Sequence, residues 1–304
     1  MQYDVIIIGS GPAGLSAGIY ASRGQLNTLI LEKGAIGGQA VTTWEIENYP
    51  GAPEETTGPS LTERMREQCV SFGVTFMTGE YRSLAKTTEG YIVSVGDQSI
   101  KTQCVIIASG AEPRLLGCPG EQEYRGRGVS YCATCDANFF RNRHVAVIGG
   151  GDTAIEEALY LTKFASQVTV IHRRDTLRAT KILADRAMAN DKIDIVWDSI
   201  VESINGDGLV SGVTLKNVKT GESQKLSVDG VFIFVGQKPN SDAFADDLTL
   251  DERGYIITDE QMSTGLPGIF AAGDVRQKML RQVVTATADG AIAGVSAIRY
   301  LENL

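Results

Sequence analysis

Short unbroken runs of aliphatic residues recur along this chain, and most of them end in a glycine turn. Val5-Ile6-Ile7-Ile8 leads into Gly9-Ser10-Gly11-Pro12-Ala13-Gly14. A helix-like stretch follows, and then a second run, Thr28-Leu29-Ile30-Leu31, which closes on Glu32. The order repeats without a gap 140 residues later (145 − 5). There Val145-Ala146-Val147-Ile148 meets Gly149-Gly150-Gly151-Asp152-Thr153-Ala154, and Val168-Thr169-Val170-Ile171 closes on His172-Arg173-Arg174. Short apolar runs bounded by turn residues predict strands. Thr153–Lys163 predicts a helix, with strong helix formers throughout and Ala154, Ala158 and Leu161 on one face. Each copy therefore predicts strand, glycine turn, helix and strand, which is the dinucleotide-binding fingerprint.

Three further segments carry the same punctuation. They are Val105–Ala111, followed by Pro113; Val231–Gly236, followed by Pro239; and Gly268-Ile269-Phe270-Ala271-Ala272-Gly273-Asp274. Strand-to-turn elements of this kind lie at the carboxyl ends of a parallel sheet, where ligands cross. A complete second nucleotide unit after about residue 112 makes the first domain discontinuous. The expectation is a first domain of residues 1–112 and 242–304 and a second of 113–241, with two crossings near Pro113 and Pro239 as the linker. Residues 281–294 predict a small-residue helix that closes on the first domain.

Composition narrows the class. The chain has 304 residues, enough for two domains, and its 43% apolar and 21% charged residues are those of a globular protein. A formal net charge of −9 argues against nucleic acid as a partner. The absence of a basic leader and of a long apolar run predicts neither secretion nor a membrane span, and thus a cytoplasmic protein. Of five cysteines, Cys132 and Cys135 form a Cys-x-x-Cys pair, whereas Cys69 and Cys104 fall in a predicted helix and strand and Cys118 in a turn. An odd, sparse set is no structural disulfide framework. Structural zinc needs four ligands. With one Cys-x-x-Cys and only His144 and His172 as histidines, a redox dithiol is the better reading and no metal is expected.

The two copies differ where they end. Glu32 can accept bonds from ribose hydroxyls, while His172, Arg173, Arg174 and the later Arg178 suit an additional phosphate, because arginine offers two parallel donors. The plainer alternative is a solvated arginine cluster opening the next helix, with Asp175 as its cap. Gly9, Gly11 and Gly14 would bring backbone N–H groups to a pyrophosphate at a helix N-terminus. The spacing of Cys132 and Cys135 permits a disulfide at a helix start, where a thiolate is favoured. Asp136 could donate or accept a proton during its cleavage, or simply complement the helix dipole. Arg125, Arg127, Arg141 and Arg143 flank the pair and could steer an acidic protein partner, with Arg127 nearest in sequence; ordinary surface arginines are the competing reading.

Together these residues resemble the low-molecular-weight, bacterial-type, NADPH-dependent thioredoxin reductases over essentially the whole chain. The motifs are Gly9-x-Gly11-x-x-Gly14, Gly38-Gln39, Cys132-Ala133-Thr134-Cys135-Asp136, Gly149-Gly150-Gly151-Asp152-Thr153-Ala154, His172-Arg173-Arg174-x-x-x-Arg178, Gly273-Asp274 and Arg281-Gln282. The resemblance implies an α/β fold of two Rossmann-like, three-layer ββα dinucleotide-binding domains, the second inserted in the first. It implies FAD in the first domain, held by the first glycine turn with Pro12 and Ala13, by Glu32, Lys33, Gly38, Gln39 and Asn48, and by Ala108 and Gly110. Gly273, Asp274, Arg281, Gln282 and Val283 complete that set, Asp274 on the ribityl chain and Arg281 and Gln282 near the flavin. It implies NADPH in the second domain, on Gly149, Gly150, Gly151, Asp152, Thr153, His172, Arg173, Arg174, Arg178 and Gly236.

It further implies a homodimer and thioredoxin as the partner. Cys135 would face the flavin, Cys132 would attack thioredoxin and Asp136 would be the acid. Ala137-Asn138 departs from the family, where a glycine is more usual, and bears on docking. Since the dithiol and the second fingerprint share one domain, that domain is expected to swing so that each reaches the flavin in turn. A related flavin-dithiol reductase or dithiol oxidase with another acceptor is the nearest alternative. A non-enzymatic redox sensor is the more distant one.

Overall fold

The computed structural model describes residues 2–43, 46 and 48–304. The chain divides into two compact units, Met1–Glu112 with Lys238–Leu304, and Pro113–Gln237.

The first unit begins with β1 (Gln2–Ile8), α1 (Pro12–Arg23), β2 (Thr28–Glu32), α2 (Gly58–Ser71) and β3 (Thr75–Thr78). It continues through β4 (Tyr81–Thr87), β5 (Gly90–Val95), β6 (Gln98–Ile107) and β7 (Ala111–Pro113). The second unit holds β8 (Val129–Ser130), α3 (Ala133–Asp136), β9 (His144–Ile148), α4 (Asp152–Leu161), β10 (Gln167–Ile171), α5 (Lys181–Met188) and β11 (Ile193–Val196). It goes on with β12 (Ser199–Asp207), β13 (Leu209–Asn217), β14 (Ser223–Leu226), β15 (Gly230–Ile233) and β16 (Gln237–Pro239). β17 (Ile269–Ala271) and α6 (Val283–Glu302) then return to the first unit.

In the first unit the parallel strands lie in the order β3-β2-β1-β6, and β17 joins the far half of β6. The near half of β6 pairs antiparallel with β5, and β5 with β4. Successive residues of β1 serve opposite faces. Val5 and Ile7 pack in one core with Leu15 and Ala17 of α1 and Ala293 of α6. Ile6 and Ile8 pack in another with Val93, Ile100 and Phe244. Burial on both faces is why these strands are continuous apolar runs with no alternation. Each fully buried Ile or Leu contributes about 1.5–3 kcal/mol.

The second unit repeats the plan. Its parallel sheet runs β11-β10-β9-β15-β8, and a three-stranded sheet, β12-β13-β14, is separate from it. One core joins the sheet to α4, with Val145 and Val147 against Ile155 and Leu161. The other sets Ala146 and Ile148 against Val213 and Leu215 of β13. The two crossings, β7 and β16, pair as a two-stranded ribbon. The return crossing falls at Gln237/Lys238, ahead of the expected 241/242. Asn240 already belongs to the first unit: its N–H donates to the Gly110 carbonyl and its Nδ2 to the Ser109 carbonyl, both at 2.9 Å.

Among the described residues no helix is long and apolar enough to cross a membrane. The predicted closing helix, α6, lies on α1 through small residues. A Cβ on Gly290 would overlap the Ala13 carbonyl, and one on Gly294 would come within 2.9 Å of the Ala17 carbonyl oxygen. Gly290→Val should therefore lower the unfolding free energy by about 1–3 kcal/mol or more, read from urea denaturation. An unchanged midpoint would contradict this close helix contact.

Candidate functional site

The first glycine turn connects β1 to α1. Gly9 has φ +104, and a Cβ there would run into the Ala108 carbonyl at the end of β6, so the turn needs glycine on both counts. Gly11 is the N-cap of α1 and Pro12 occupies the first turn, where its missing N–H costs nothing. Gly14 packs onto the Gly9 carbonyl with no room for a Cβ. Glu32 closes on this turn. One carboxylate oxygen accepts from the Ser10 N–H at 2.9 Å and its hydroxyl at 2.6 Å, and the other from the Gly34 N–H at 2.8 Å. Lys33 and Gln39 are exposed beside it. A Cβ on Gly38 would lie 2.9 Å from the Gly11 Cα, so Gly37–Gln39 crosses directly over the turn.

A second group gathers after β17. Gly273–Val275 forms a short 3-10 turn, and Asp274 Oδ1 is shielded from solvent with no hydrogen-bond partner. Burial raises the Asp274 pKa; nearby Lys278 and Arg281 pull it down and Asp289 pushes it up. Arg281 lies 3.9 Å over the Tyr255 ring, with its Nε also shielded and unpartnered. Gln282 caps α6 and receives the Asn48 Nδ2 on its Oε1 at 3.1 Å, while Val283 is the first residue of that helix. Ala108 and Gly110 lie at the end of β6, and Ser109 between them donates to the Asn240 carbonyl at 2.7 Å. Two polar atoms, one on an acid and one on a base, are thus left with bonding capacity that a ligand could use.

Asp289 organises that place. It accepts from the Gly273 N–H at 3.1 Å, Arg276 Nη1 at 3.2 Å and Lys278 Nζ at 2.8 Å. It is 7% exposed. Sequence reasoning missed it, although a lone acid in a small-residue helix was the available signal.

The second turn connects β9 to α4. Gly149 has φ +148, and a Cβ would come within 2.6 Å of the Phe234 carbonyl oxygen. Gly151 caps α4, Asp152 begins it and accepts from the Thr180 N–H at 2.6 Å, and Thr153 is exposed. His172 is buried with its ring where a Cβ on Gly150 would sit, and Nε2 donates to the Thr176 carbonyl at 3.0 Å. Burial depresses its pKa, with Arg174, Arg173 and Arg178 adding to the depression and the Thr176 bond opposing it. The Arg178 N–H donates to the Gly150 carbonyl at 2.6 Å, which ties the arginine loop to the glycine turn. Arg173, Arg174 and Arg178 are exposed, and among the described residues none forms an ion pair. Asp175 does not cap the next helix. It pairs with Lys219 at 3.0 Å, and α5 starts after Thr180. Gly236 is exposed at φ +113, its carbonyl accepting from the Arg114 N–H at 3.0 Å.

The dithiol lies between β8 and β9. Cys132 and Cys135 form a disulfide with a Cα–Cα separation of 5.3 Å, and Cys132 is the N-cap of α3. Ser130, buried two residues before, binds both ends of the motif: its hydroxyl donates to Asp136 Oδ2 at 2.5 Å and accepts from the Cys132 N–H at 3.1 Å. Burial raises the Asp136 pKa, and the Ser130 bond opposes this. Such an acid can hold a proton beside a leaving thiolate. Ala137 is buried, and Asn138 Oδ1 accepts from Arg141 Nε at 2.6 Å.

Three of the four flanking arginines have partners. Arg125 lies 5.2 Å over Tyr131, Arg141 5.3 Å over Phe164, and Arg143 pairs with Asp229 at 3.4 Å. Arg127 is exposed. Cys69 and Cys104 are fully buried, which raises both thiol pKa values, that of Cys69 to about 12; Cys118 is half-buried.

Two nucleotide-type turns and a formed dithiol define a class, and the profile of the pyridine nucleotide-disulphide oxidoreductases matches residues 3–290. The thioredoxin reductase of Peptoclostridium acidaminophilum is 50% identical over 99% of this chain and 97% of its own length. The crystal structure of thioredoxin reductase from Streptococcus pyogenes MGAS5005 has a TM-score of 0.93 at 51% identity, covering 100% of this chain and 99% of that one. The Lactococcus lactis thioredoxin reductase, described as the FR conformation, is 48% identical over 99% of this chain and 100% of its own, with a TM-score of 0.72. The chain belongs to the thioredoxin reductases within the pyridine nucleotide-disulphide oxidoreductase family.

Asp289→Asn should lower stability by about 3–5 kcal/mol, because two buried cations lose their counter-charge. Chemical denaturation checks this. A loss of under about 1 kcal/mol would show that Arg276 and Lys278 do not depend on the carboxylate.

Proposed function

We propose that the chain is a flavoprotein disulfide reductase that passes electrons from NADPH through FAD and the Cys132–Cys135 disulfide to the disulfide of thioredoxin. The observation that carries the reading is the formed Cys132–Cys135 disulfide, which shares one unit with an arginine-flanked glycine turn. Family membership supports the acceptor. The unpartnered Asp274 Oδ1 and Arg281 Nε, with the Gly9–Gly14 turn and Glu32, suit FAD in the first unit. Bound there, a flavin supplies the means to take a hydride from nicotinamide and deliver an electron pair to sulfur.

In this reading the residues of the chain bind, orient and move protons. Gly149–Gly151 and the α4 N-terminus receive the pyrophosphate of NADPH, and Arg173, Arg174 and Arg178 its additional phosphate. His172, neutral and buried, fixes the arginine loop. Ser130 sets Asp136 beside the sulfurs, and Asp136 returns a proton to the thiolate that thioredoxin reduction leaves behind. Cys132 attacks thioredoxin, Cys135 faces the flavin, and Arg127 contributes to docking. The second unit swings about the paired crossings. Relatives of nearly equal identity but TM-scores of 0.93 and 0.72 support such a motion, since a rearrangement of two units gives that difference. The enzyme acts as a cytoplasmic homodimer, the family's usual form.

R173A, R174A and R178A should each raise the KM for NADPH roughly tenfold and leave NADH kinetics unchanged. Equal loss for both coenzymes would sink the phosphate assignment.

The direct test is NADPH oxidation by the flavin-loaded protein with a thioredoxin. Turnover that requires thioredoxin and disappears in Cys132→Ser and Cys135→Ser establishes the reductase. Flavin reduction without thioredoxin turnover moves the acceptor elsewhere. Cys135→Ser should trap thioredoxin on Cys132; trapping only by Cys132→Ser would reverse the two sulfur roles.

A further inference from the structure

Glu157 lies on α4, the helix that opens at the second glycine turn, and α4 packs against the dithiol helix α3. Its neighbours at helical spacing, Ala154 and Leu161, are both buried core residues. The carboxyl group is turned toward the backbone N–H groups of Ala133 and Thr134, the two residues that follow Cys132. Oε2 is shielded from solvent and has no hydrogen-bond partner among the described residues. A half-satisfied carboxyl group thus stands against the end of α3 that carries the first sulfur. It belongs to no hydrogen bond or ion pair of the glycine turn, the arginine loop or Asp136.

We propose that Glu157 is a positioning residue that holds a proton for the dithiol, taking one up when Cys132–Cys135 is reduced and releasing it when the disulfide re-forms. Reduction breaks the S–S bond and adds two electrons. If both sulfurs end as thiols they take two protons; if one remains a thiolate they take one. Glu157 carries the other proton in the second case, because a carboxylate on α4 and a thiolate on the packed helix α3 disfavour each other's charge. The net charge at that end of α3 is then the same, one negative charge, in both redox states. The electron pair comes from the donor of the proposed function, on which the physiological meaning rests, or from any dithiol reductant.

Among the described residues the neighbouring charges are few. Glu156 and Asp152 lie on the same helix, Asp136 on α3, Lys181, Asp185 and Arg186 on α5, and His144 on β9, while β10 brings no charged residue. Burial is the main cause of an elevated Glu157 pKa, to about 7; Glu156 adds to it, and the Thr134 and Ala133 N–H groups oppose it. The group therefore changes charge in the range where the thiols work.

The test uses the full-length protein reduced with dithiothreitol, freed of excess reductant, and alkylated with iodoacetamide between pH 5 and 9. It needs neither NADPH nor thioredoxin, so its failure is separable from failure of the proposed function. Glu157→Gln should lower the apparent pKa of the faster-reacting thiol by about one pH unit, and alkylation at pH 6 should speed up several-fold. Glu157→Asp should retain the wild-type profile. Superimposable profiles for wild type and Glu157→Gln would overturn the proposal. Should Glu157→Gln fold poorly, proton uptake on reduction of the unaltered protein decides the matter. Two protons per electron pair are expected to persist above the thiol pKa, and a fall to one would overturn it.

Discussion

The structure depends on strands that must be buried on both faces. A parallel strand such as β1 places Val5 and Ile7 in one core and Ile6 and Ile8 in another, so its Val5–Ile8 half is closed to water on both faces until the strand ends. Polar chemistry is therefore pushed to the carboxyl edge, where each chain must turn sharply and leave backbone groups for a ligand. Gly9 and Gly149 make those turns at positive φ against the Ala108 and Phe234 carbonyls of the neighbouring strand ends. The two nucleotide-type sites are consequences of one packing rule applied twice.

The two units also show how a single plan diverges. β1, β2, β3 and β6 correspond in pairing to β9, β10, β11 and β15. The fifth parallel strand closes the first sheet from the C-terminal side as β17, but the second from the N-terminal side as β8. The segment beyond that strand carries Gly273-Asp274 in one unit and Tyr131-Cys132 in the other. The slot that offers an unpartnered acid in the first unit thus holds the sulfur chemistry in the second. The dithiol stays in its own unit's sheet edge because β8 and β9 both end there.

Much of this was legible in the sequence, for identifiable reasons. The strands could be read because double burial makes them continuous apolar runs, and the turns because glycine is the only residue that fits them. The Cys132–Cys135 pairing was legible because i, i+3 spacing at a helix start leaves few alternatives. The return crossing was placed late, since nothing in Lys238-Pro239-Asn240 announces that Asn240 bonds back to Ser109 and Gly110. Asp289 and Ser130 were invisible for a different cause. Each gains its importance from partners distant in sequence or hidden by a turn, such as Gly273, Arg276 and Lys278 around Asp289. His172 was grouped with its arginines by adjacency, yet its ring is buried against Gly150 and only the arginines remain exposed.

Burial also sets apart three acids of this fold. Asp274, Asp136 and Glu157 are held at raised pKa chiefly by desolvation, each with a weak or missing counter-charge. Structural carboxylates in the same chain are treated differently. Glu121, 1% exposed, accepts from the Leu116 and Gly117 N–H groups and the Tyr131 hydroxyl, and Asp289 has two cations. A buried acid that is fully bonded pins the groups around it. One left partly unbonded costs stability but can change charge when a neighbour does. The division between satisfied and unsatisfied acids follows position: the satisfied ones pin loops and helix faces, and the unsatisfied ones lie at the carboxyl edge of a sheet or against the dithiol helix. Two of these acids, Asp136 and Glu157, therefore sit on and against the helix that carries the disulfide, where a change of charge on sulfur would be felt most strongly.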